Sequence, residues 1–185
     1  NTNAMTRLGI TDHGPVHFQI VANVALRLLR ILHHNGIQTS IEKDYELSYD
    51  DAEVVVFFGS IMHDLGMSIQ RQGHEEMSLF IANRLLHEML PSVYDVRTRT
   101  IIVSETLHTI IAHRSGGEPR TLEAGIVRVA DALDMAEGRS RIAFDAGYVN
   151  IHSVSALAIK DVKIETGTIK PIHIEVHLDN SAGIF

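Results

Sequence analysis

The sequence predicts a mainly α-helical bundle that is followed by a small strand-rich C-terminal element. Two observations support this fold class. Apolar residues recur at helical spacing through the first two-thirds of the chain, and apolar and polar residues alternate strictly near its end. The change falls near residue 143, so we expect a helical domain over residues 5–143 and a β-rich element over residues 144–185.

The first helix is expected over residues 16–32. Ile20 and Val24 begin an apolar stripe at helical spacing, and Pro15 suits the first turn of a helix. An Asn-Gly pair ending at Gly36 is a stop signal, because glycine readily adopts the backbone conformation that follows a helix. This helix therefore has both a start and an end written in the sequence.

The second helix is expected over residues 51–65, after an irregular polar loop over residues 37–50. Asp50 or Asp51 would cap its N-terminus, and Gly66 would end it. A run of valine and phenylalanine in its middle has strand propensity, but the apolar pattern continues beyond a strand's usual length. We therefore favour a buried helix.

Three further helices are expected over residues 75–90, 96–113 and 121–137. Each has a boundary signal. Pro91 follows the first, a pair of glycines follows the second, and Thr121 begins the third as its N-cap.

Alternating residues predict short strands over residues 149–152, 162–165 and 172–178, with a turn at 166–168. The exposed edge of such a sheet is a natural contact for a homodimer. Residues 1–4 are typical of a remnant left by expression, and the apolar ending at Phe185 leaves open whether the natural chain continues.

The composition excludes several classes of function. The 185 residues are 45% hydrophobic and 21% charged, which is typical of a globular protein. The absence of cysteine excludes a disulfide framework, a thiolate zinc site and a cysteine nucleophile, and it suits a cytoplasmic location. The net charge of −7 argues against an extended nucleic-acid surface. We find neither a secretory signal nor a run of about 20 apolar residues, so we expect no membrane partner.

The chain contains twelve histidines, which favours metal chemistry, and four side chains are the main candidate metal ligands. His63 and Asp64 adjoin at the end of an apolar helix, where an imidazole nitrogen and a carboxylate oxygen can face one divalent cation. His17 lies on the inward face of the first helix, as a ligand or as a hydrogen-bonded core residue. Asp131 lies on an otherwise apolar helix and needs an arginine or a metal as its partner.

Together these residues resemble the H…HD…D pattern of the HD phosphohydrolase superfamily. The segments GPVH at 14–17, IMHDLG at 61–66 and VADALD at 129–134 follow one another in the family's order, and they organise about residues 12–142. The resemblance implies an HD-type helical bundle that holds one or two divalent metals, with Fe or Mn favoured and Mg, Zn, Co or Ni as alternatives. The first metal would be bound by His17, His63, Asp64 and Asp131.

The resemblance also implies a second metal in a subset of the family. His74 and His113 would bind this ion, and Asp64 would bridge the two. The alternatives are that His74 is a solvated residue at a helix start and that His113 is a favourable charge at a helix end. The chain lacks the Gly-Tyr-Pro signature of the cyclic-dinucleotide phosphodiesterases after His113, which argues against such a substrate.

These residues suggest hydrolysis of a nucleotide or another small phosphate ester, as a phosphomonoesterase or a phosphodiesterase. Metal-bound water would attack the phosphorus, and Asp64 would orient that water as the catalytic residue. Arg114 is our candidate for binding the phosphate, and Asp134 either contacts substrate or supports the metal ligands. The alternatives are a non-catalytic HD module that binds metal or nucleotide for regulation, and a helical bundle whose histidines coincide by chance.

Overall fold

Six α-helices and a short antiparallel hairpin make up the described part of the chain. The computed structural model describes residues 14–114, 116–135 and 158–180. The expected fold class, mainly helical with a small strand-rich C-terminal element, is confirmed. The helices are α1 (Pro15–His34), α2 (Ser40–Tyr45), α3 (Tyr49–Met62), α4 (His74–Met89), α5 (Val96–Ala112) and α6 (Leu122–Leu133). The strands are β1 (Ile159–Thr166) and β2 (Ile172–Leu178), and short 3-10 helices cover Leu65–Ser68 and Leu90–Ser92.

Helix α2 corrects the expectation of an irregular loop over residues 37–50. Thr39 and Glu42 form a capping box, in which each side chain accepts a hydrogen bond from the other residue's backbone N–H. Ile41 is fully buried and anchors the helix in the core. The Thr-x-x-Glu signature was present in the sequence, but the surrounding polar residues obscured it.

Several helix boundaries also differ from the expected ones. Helix α3 ends at Met62 rather than at residue 65, and Gly66 lies inside the 3-10 helix that follows instead of ending α3. Helix α3 is capped by Ser48, while Asp51 completes the capping box by accepting from the Ser48 N–H. Neither Asp50 nor Asp51 is therefore the cap. Helix α6 ends at Leu133 rather than at residue 137, since Asp134 leaves the helical conformation.

Helix α3 lies between two hydrophobic clusters and contributes to both. Val55 packs into a cluster with residues of α4 and α5, whereas Val56 packs into a second cluster with residues of α1 and α6. Consecutive residues of a helix point about 100° apart, so a helix buried on two sides needs apolar residues at adjacent positions. The valine-rich run of α3 meets this need. It also places the end of α3 in the interior of the bundle.

The hairpin packs on the helices through one side of β1 and through Ile172 at the start of β2. Ile164 is buried in the cluster formed by α1 and α6, and it pairs with Ile174 of β2. The expected turn at 166–168 joins the strands, while the expected strand at 149–152 and the boundary near residue 143 lie outside the described residues. Ile174, Val176 and Leu178 of β2 are 37–42% exposed. The homodimer contact through this sheet stays a prediction.

Helix α1 is long and apolar enough to cross a membrane by length and composition, contrary to the expectation that the chain contains no such run. In the fold, one face of α1 lies in the core. Val21, Leu28 and Leu29 are buried in the cluster shared with α3 and α6. Arg30, on its outer side, pairs with Glu53 of α3 at 2.8 Å.

We expect replacement of Gly59 by alanine to destabilise the fold. A Cβ atom at Gly59 would lie 2.4 Å from Cγ2 of Thr109, where α3 passes close to α5. Thr109 is fully buried and β-branched, so it cannot swing aside. The cost of such overpacking is about 1–3 kcal/mol in the free energy of unfolding, measured by urea denaturation.

The matched control is Gly125→Ala in α6. A Cβ atom there meets no heavy atom within 4 Å. Alanine should raise the stability of this helix by about 0.5–1 kcal/mol relative to glycine. Equal midpoints for the two variants would contradict the close approach of α3 and α5.

Candidate metal centre

Buried histidine and aspartate side chains meet where α1, α3 and α6 approach one another. His17 lies in the first turn of α1, His63 and Asp64 directly follow α3, and Asp131 lies in the last turn of α6. The Nε2 atom of His17 lies 3.2 Å from Nε2 of His63, 3.4 Å from Oδ1 of Asp131 and 3.7 Å from Oδ2 of Asp64. Four residues from distant parts of the sequence thus share one small volume.

Two more histidines approach the opposite oxygen of Asp64. The Nε2 atom of His74, the first residue of α4, lies 2.8 Å from Oδ1 of Asp64. The Nε2 atom of His113, which follows α5, lies 3.5 Å from the same oxygen. Both histidines are buried, so His74 is not a solvated helix-start residue. Asp64 therefore lies between two pairs of histidines, with one oxygen toward each pair.

The outer ring nitrogen of all four histidines is held by an acceptor. Carbonyl and carboxylate oxygens only accept hydrogen bonds, so each Nδ1 carries a proton and donates it. Each Nε2 is thereby turned toward the centre. The Nδ1 acceptors are Asp134 Oδ2 for His17 (2.5 Å), Ser60 O for His63 (2.8 Å), Arg71 O for His74 (2.8 Å) and Ile110 O for His113 (2.6 Å).

The electrostatics of the centre favour a cation. Burial opposes charge on His63, but the carboxylates of Asp64 and Asp131 outweigh it and raise the pKa of the imidazole to about 10. Burial would raise the pKa of Asp64, yet His63 and the hydrogen bonds from His113 and His74 hold it well below its usual value. A proton or a metal ion can supply the positive charge that the carboxylates attract.

The donor set fits a divalent metal. The Nε2 atoms of His17 and His63 face each other at 3.2 Å, which brings two lone pairs together unless a cation or a proton lies between them. Among the described residues, two groups have ligand atoms that all lie within 4.8 Å of one another: His17, His63 and Asp131, and His63, Asp64 and His113. Mixed imidazole and carboxylate donors suit Fe, Mn, Zn and similar ions.

The two groups differ from the ligand sets that the family resemblance implies. Asp64 belongs to the second group but not to the first, His63 belongs to both, and His74 belongs to neither. The distance of 2.8 Å between His74 and Asp64 is that of a hydrogen bond. Burial disfavours a charge on His74, but its hydrogen bonds to Asp64 and to the Arg71 carbonyl raise the pKa of its imidazole. A metal that binds here must replace the proton between His74 and Asp64.

Gly66 fixes the position of the His-Asp pair relative to α4. The chain turns after α3 through a 3-10 helix, and the Gly66 N–H donates to Oγ of Ser78 at 2.8 Å. A Cβ atom at this position would lie 2.0 Å from the backbone oxygen of His74. Only glycine allows this approach, so the glycine of the His-Asp-Leu-Gly segment has a packing role beside the ligands.

Arg114 was expected to bind the phosphate, and Asp134 either to contact substrate or to support the metal ligands. The structure places the buried carboxylate of Asp134 on Nδ1 of His17, which is the supporting role left open by the sequence. It places Arg114 on Glu75, with Nη1 at 2.8 Å from Oε1. Sequence reasoning missed Glu75, because nothing in the sequence links it to an arginine 39 residues away.

A cavity of about 550 Å³ lies between the start of α4 and the end of α5. Glu75, Glu76, Ile111 and Arg114 are among the residues that line it. Its volume is within the range of small-molecule sites, which is about 300–1,000 Å³. The cavity adjoins the two segments that carry His74 and His113.

The fold and the site define a helical metal-binding domain of the phosphohydrolase type. Residues 16–136 match the HD domain family, and the chain belongs to this superfamily of metal-dependent phosphohydrolases. The uncharacterized protein MJ1020 of Methanocaldococcus jannaschii is 42% identical over 185 residues, which is all of this chain and 71% of the relative. No solved structure matches the chain.

We expect Asp134→Ala to weaken metal binding by about 10–100-fold, because the loss of the Nδ1 acceptor lets the His17 ring rotate away from the centre. Asp134→Asn keeps an acceptor without the charge and should lose less. The affinity for Mn²⁺ is measured by titration calorimetry. Asp44→Ala, at an exposed aspartate of α2, is the control. Unchanged affinity in Asp134→Ala would show that His17 is not a ligand held by Asp134.

Proposed function

We propose that this protein hydrolyses a nucleotide or another small phosphate ester in the cytoplasm, with two metals bridged by Asp64. One observation carries the proposal. The two oxygens of the Asp64 carboxylate face different histidines, Oδ2 toward His17 and His63 and Oδ1 toward His74 and His113. A buried carboxylate in this arrangement is suited to bridging two cations, which is the arrangement used in many phosphoryl-transfer sites.

The two ligand sets follow from the sides of Asp64. His17, His63, Asp64 and Asp131 would hold the first ion, and His74, His113 and Asp64 the second. Fe and Mn are the favoured ions, because imidazole and carboxylate ligands suit them. A bound divalent ion supplies Lewis-acid chemistry, since it lowers the pKa of water and neutralises charge on a phosphoryl oxygen.

The protein's own groups have distinct tasks in this proposal. Asp64 stays ionised at neutral pH, so it can accept a hydrogen bond from the attacking water and orient it. The side chain of Asp131 is 21% exposed, whereas those of His17, His63 and Asp64 are almost fully buried. Substrate therefore has its most direct approach beside Asp131. Asp134 orients His17 and is not assigned to substrate.

The non-catalytic alternative is a regulatory module that binds metal or nucleotide without turnover. All six ligand side chains that the family pattern implies are present and directed at one centre, which supports a working hydrolase. Arg114 retains donors beyond its bond to Glu75, and these would serve a phosphate or the leaving group in the adjoining cavity.

We expect Asp64→Asn to lose both metals and His74→Ala to lose one, because asparagine cannot bridge two cations and His74 serves the second ion only. Metal content is measured by elemental analysis of tag-free protein after loading with Mn²⁺. His87→Ala is the matched control, an exposed histidine on the same helix as His74. Retention of two metals by both His74→Ala and His113→Ala would contradict the two ligand sets.

We expect the Mn²⁺-loaded protein to release product from a phosphate ester, and Asp64→Asn to slow the reaction by at least about 100-fold, since several kcal/mol of charge stabilisation are lost. A panel of nucleoside monophosphates, p-nitrophenyl phosphate and bis(p-nitrophenyl) phosphate separates monoesterase from diesterase activity. Metal uptake without turnover of any ester would favour the regulatory alternative. Failure to take up any metal would contradict both.

A further inference from the structure

Glu75 and Arg114 directly follow the two histidines of the second ligand set. Glu75 comes after His74 at the start of α4, and Arg114 comes after His113 at the end of α5. Their side chains join across 39 residues of sequence, with Nη1 of Arg114 at 2.8 Å from Oε1 of Glu75. The contact thus ties together the two chain segments that present these ligands.

Both histidines need such a tie because each lies at a helix end. Terminal turns make fewer backbone hydrogen bonds than the middle of a helix, and they open more easily. His74 is the first residue of α4, and His113 lies just beyond the last residue of α5. A contact between the two ends adds a direct link to the carbonyl hydrogen bonds that already orient each imidazole.

Each charge of the pair also lies at the helix end that favours it. Glu75 is in the first turn of α4, where the helix dipole stabilises a carboxylate, and Arg114 follows the last turn of α5, where the dipole stabilises a cation. The side chain of Glu75 is 13% exposed and that of Arg114 is 48% exposed, so water screens the carboxylate end of the pair less than the guanidinium end.

Glu75 reaches His74 as well as Arg114. Its Oε2 atom lies 3.5 Å from Nδ1 of His74, the nitrogen that donates to the Arg71 carbonyl. A carboxylate behind this nitrogen makes the opposite nitrogen, Nε2, a more basic ligand. One glutamate therefore acts on the orientation and on the basicity of His74, and through Arg114 on the position of His113.

We propose that Glu75 and Arg114 are a positioning pair for the second metal, which hold His74 and His113 at their distances from Asp64. The inference rests on the proposed second metal. It gives Arg114 a role that does not require contact with substrate. It also predicts that the two half-sites respond differently to loss of the pair, because His17, His63 and Asp131 are attached to other helices.

The test is the titration of the metal-free full chain with Mn²⁺, with the unbound ion followed by electron paramagnetic resonance. We expect Glu75→Gln and Arg114→Met each to weaken the second Mn²⁺ by about tenfold, while the first changes less than about twofold. The double variant should be no weaker than Glu75→Gln alone, since that substitution already removes the ion pair as well as the contact of Glu75 with His74. Arg114→Lys should retain part of the affinity for the second Mn²⁺, because lysine keeps the positive charge but lacks the planar guanidinium group.

The matched control is the pair of Arg84 and Glu88, which lies on the outer face of α4 with both side chains largely exposed. Glu88→Gln and Arg84→Met remove an ion pair of similar length, 2.9 Å, and should leave both Mn²⁺ affinities unchanged. Equal weakening of both sites by Glu75→Gln, or no weakening of the second site, would overturn the positioning role.

A measurement on the metal-free protein separates this inference from the proposed function. Glu75→Gln should move the ring-nitrogen NMR signals of His74 and His113 and leave those of His17 and His63 in place. A wild-type chain that binds no second Mn²⁺ would contradict the two-metal proposal. In that case the ring-nitrogen signals alone would test the positioning role of Glu75 and Arg114. Movement of only the His74 and His113 signals would support the role, and unmoved signals would overturn it.

Discussion

The burial of one carboxylate constrains the architecture of the whole domain. Asp64 is almost fully removed from water, and an ionised carboxylate in that position is costly unless hydrogen-bond donors and positive charge surround it. Four imidazoles from four separate segments meet this requirement. Each of them needs a second hydrogen bond behind it, so the constraint passes outward to Ser60, Arg71, Ile110 and Asp134.

The helical bundle meets this constraint by bringing helix ends, rather than helix middles, to the centre. The histidines lie in the first turn of α1, just after α3, at the start of α4 and just after α5. The last carbonyl groups of a helix have no hydrogen-bond partner within that helix, and two of the Nδ1 acceptors, Ser60 O and Ile110 O, are such groups. The same backbone atoms that a helix leaves unpaired therefore fix the orientation of the metal ligands.

Much of this arrangement could be predicted from the sequence, and the part that could not has a common cause. Period and boundary signals identified five of the six helices, and the family pattern identified the residues that meet at the centre. The contacts that depend on tertiary structure were not accessible. Glu75 and Arg114 meet only because α4 and α5 pack side by side. The need for glycine at position 66 arises from the close approach of its backbone to His74. Helix α2 is a different case, since its capping box at Thr39 and Glu42 is a local sequence signal that could have predicted it.

The partial exposure of Asp131 gives the centre a direction. The other ligands are enclosed by the two hydrophobic clusters and by the loop that Gly66 permits. The centre is therefore enclosed on the side of α3, while the cavity of about 550 Å³ lies at the start of α4 and the end of α5. Specificity for substrate would then arise from the groups beside Asp131 and from those that line this cavity, while the buried side supplies the charge.

The convergence of distant segments on one centre also has a consequence for the unfolded chain. His17 and Asp134 are 117 residues apart in sequence, and this protein has no cysteine with which to cross-link them. Asp131 lies one helical turn before Asp134, so an ion held by His17 and Asp131 would close a loop of nearly this length only in the folded state. For a covalent cross-link the closure of a loop of about 100 residues is worth about 4.7 kcal/mol in the chain-entropy model. Metal ions would in this way act as reversible cross-links between the beginning and the end of the domain, as disulfides do in secreted domains.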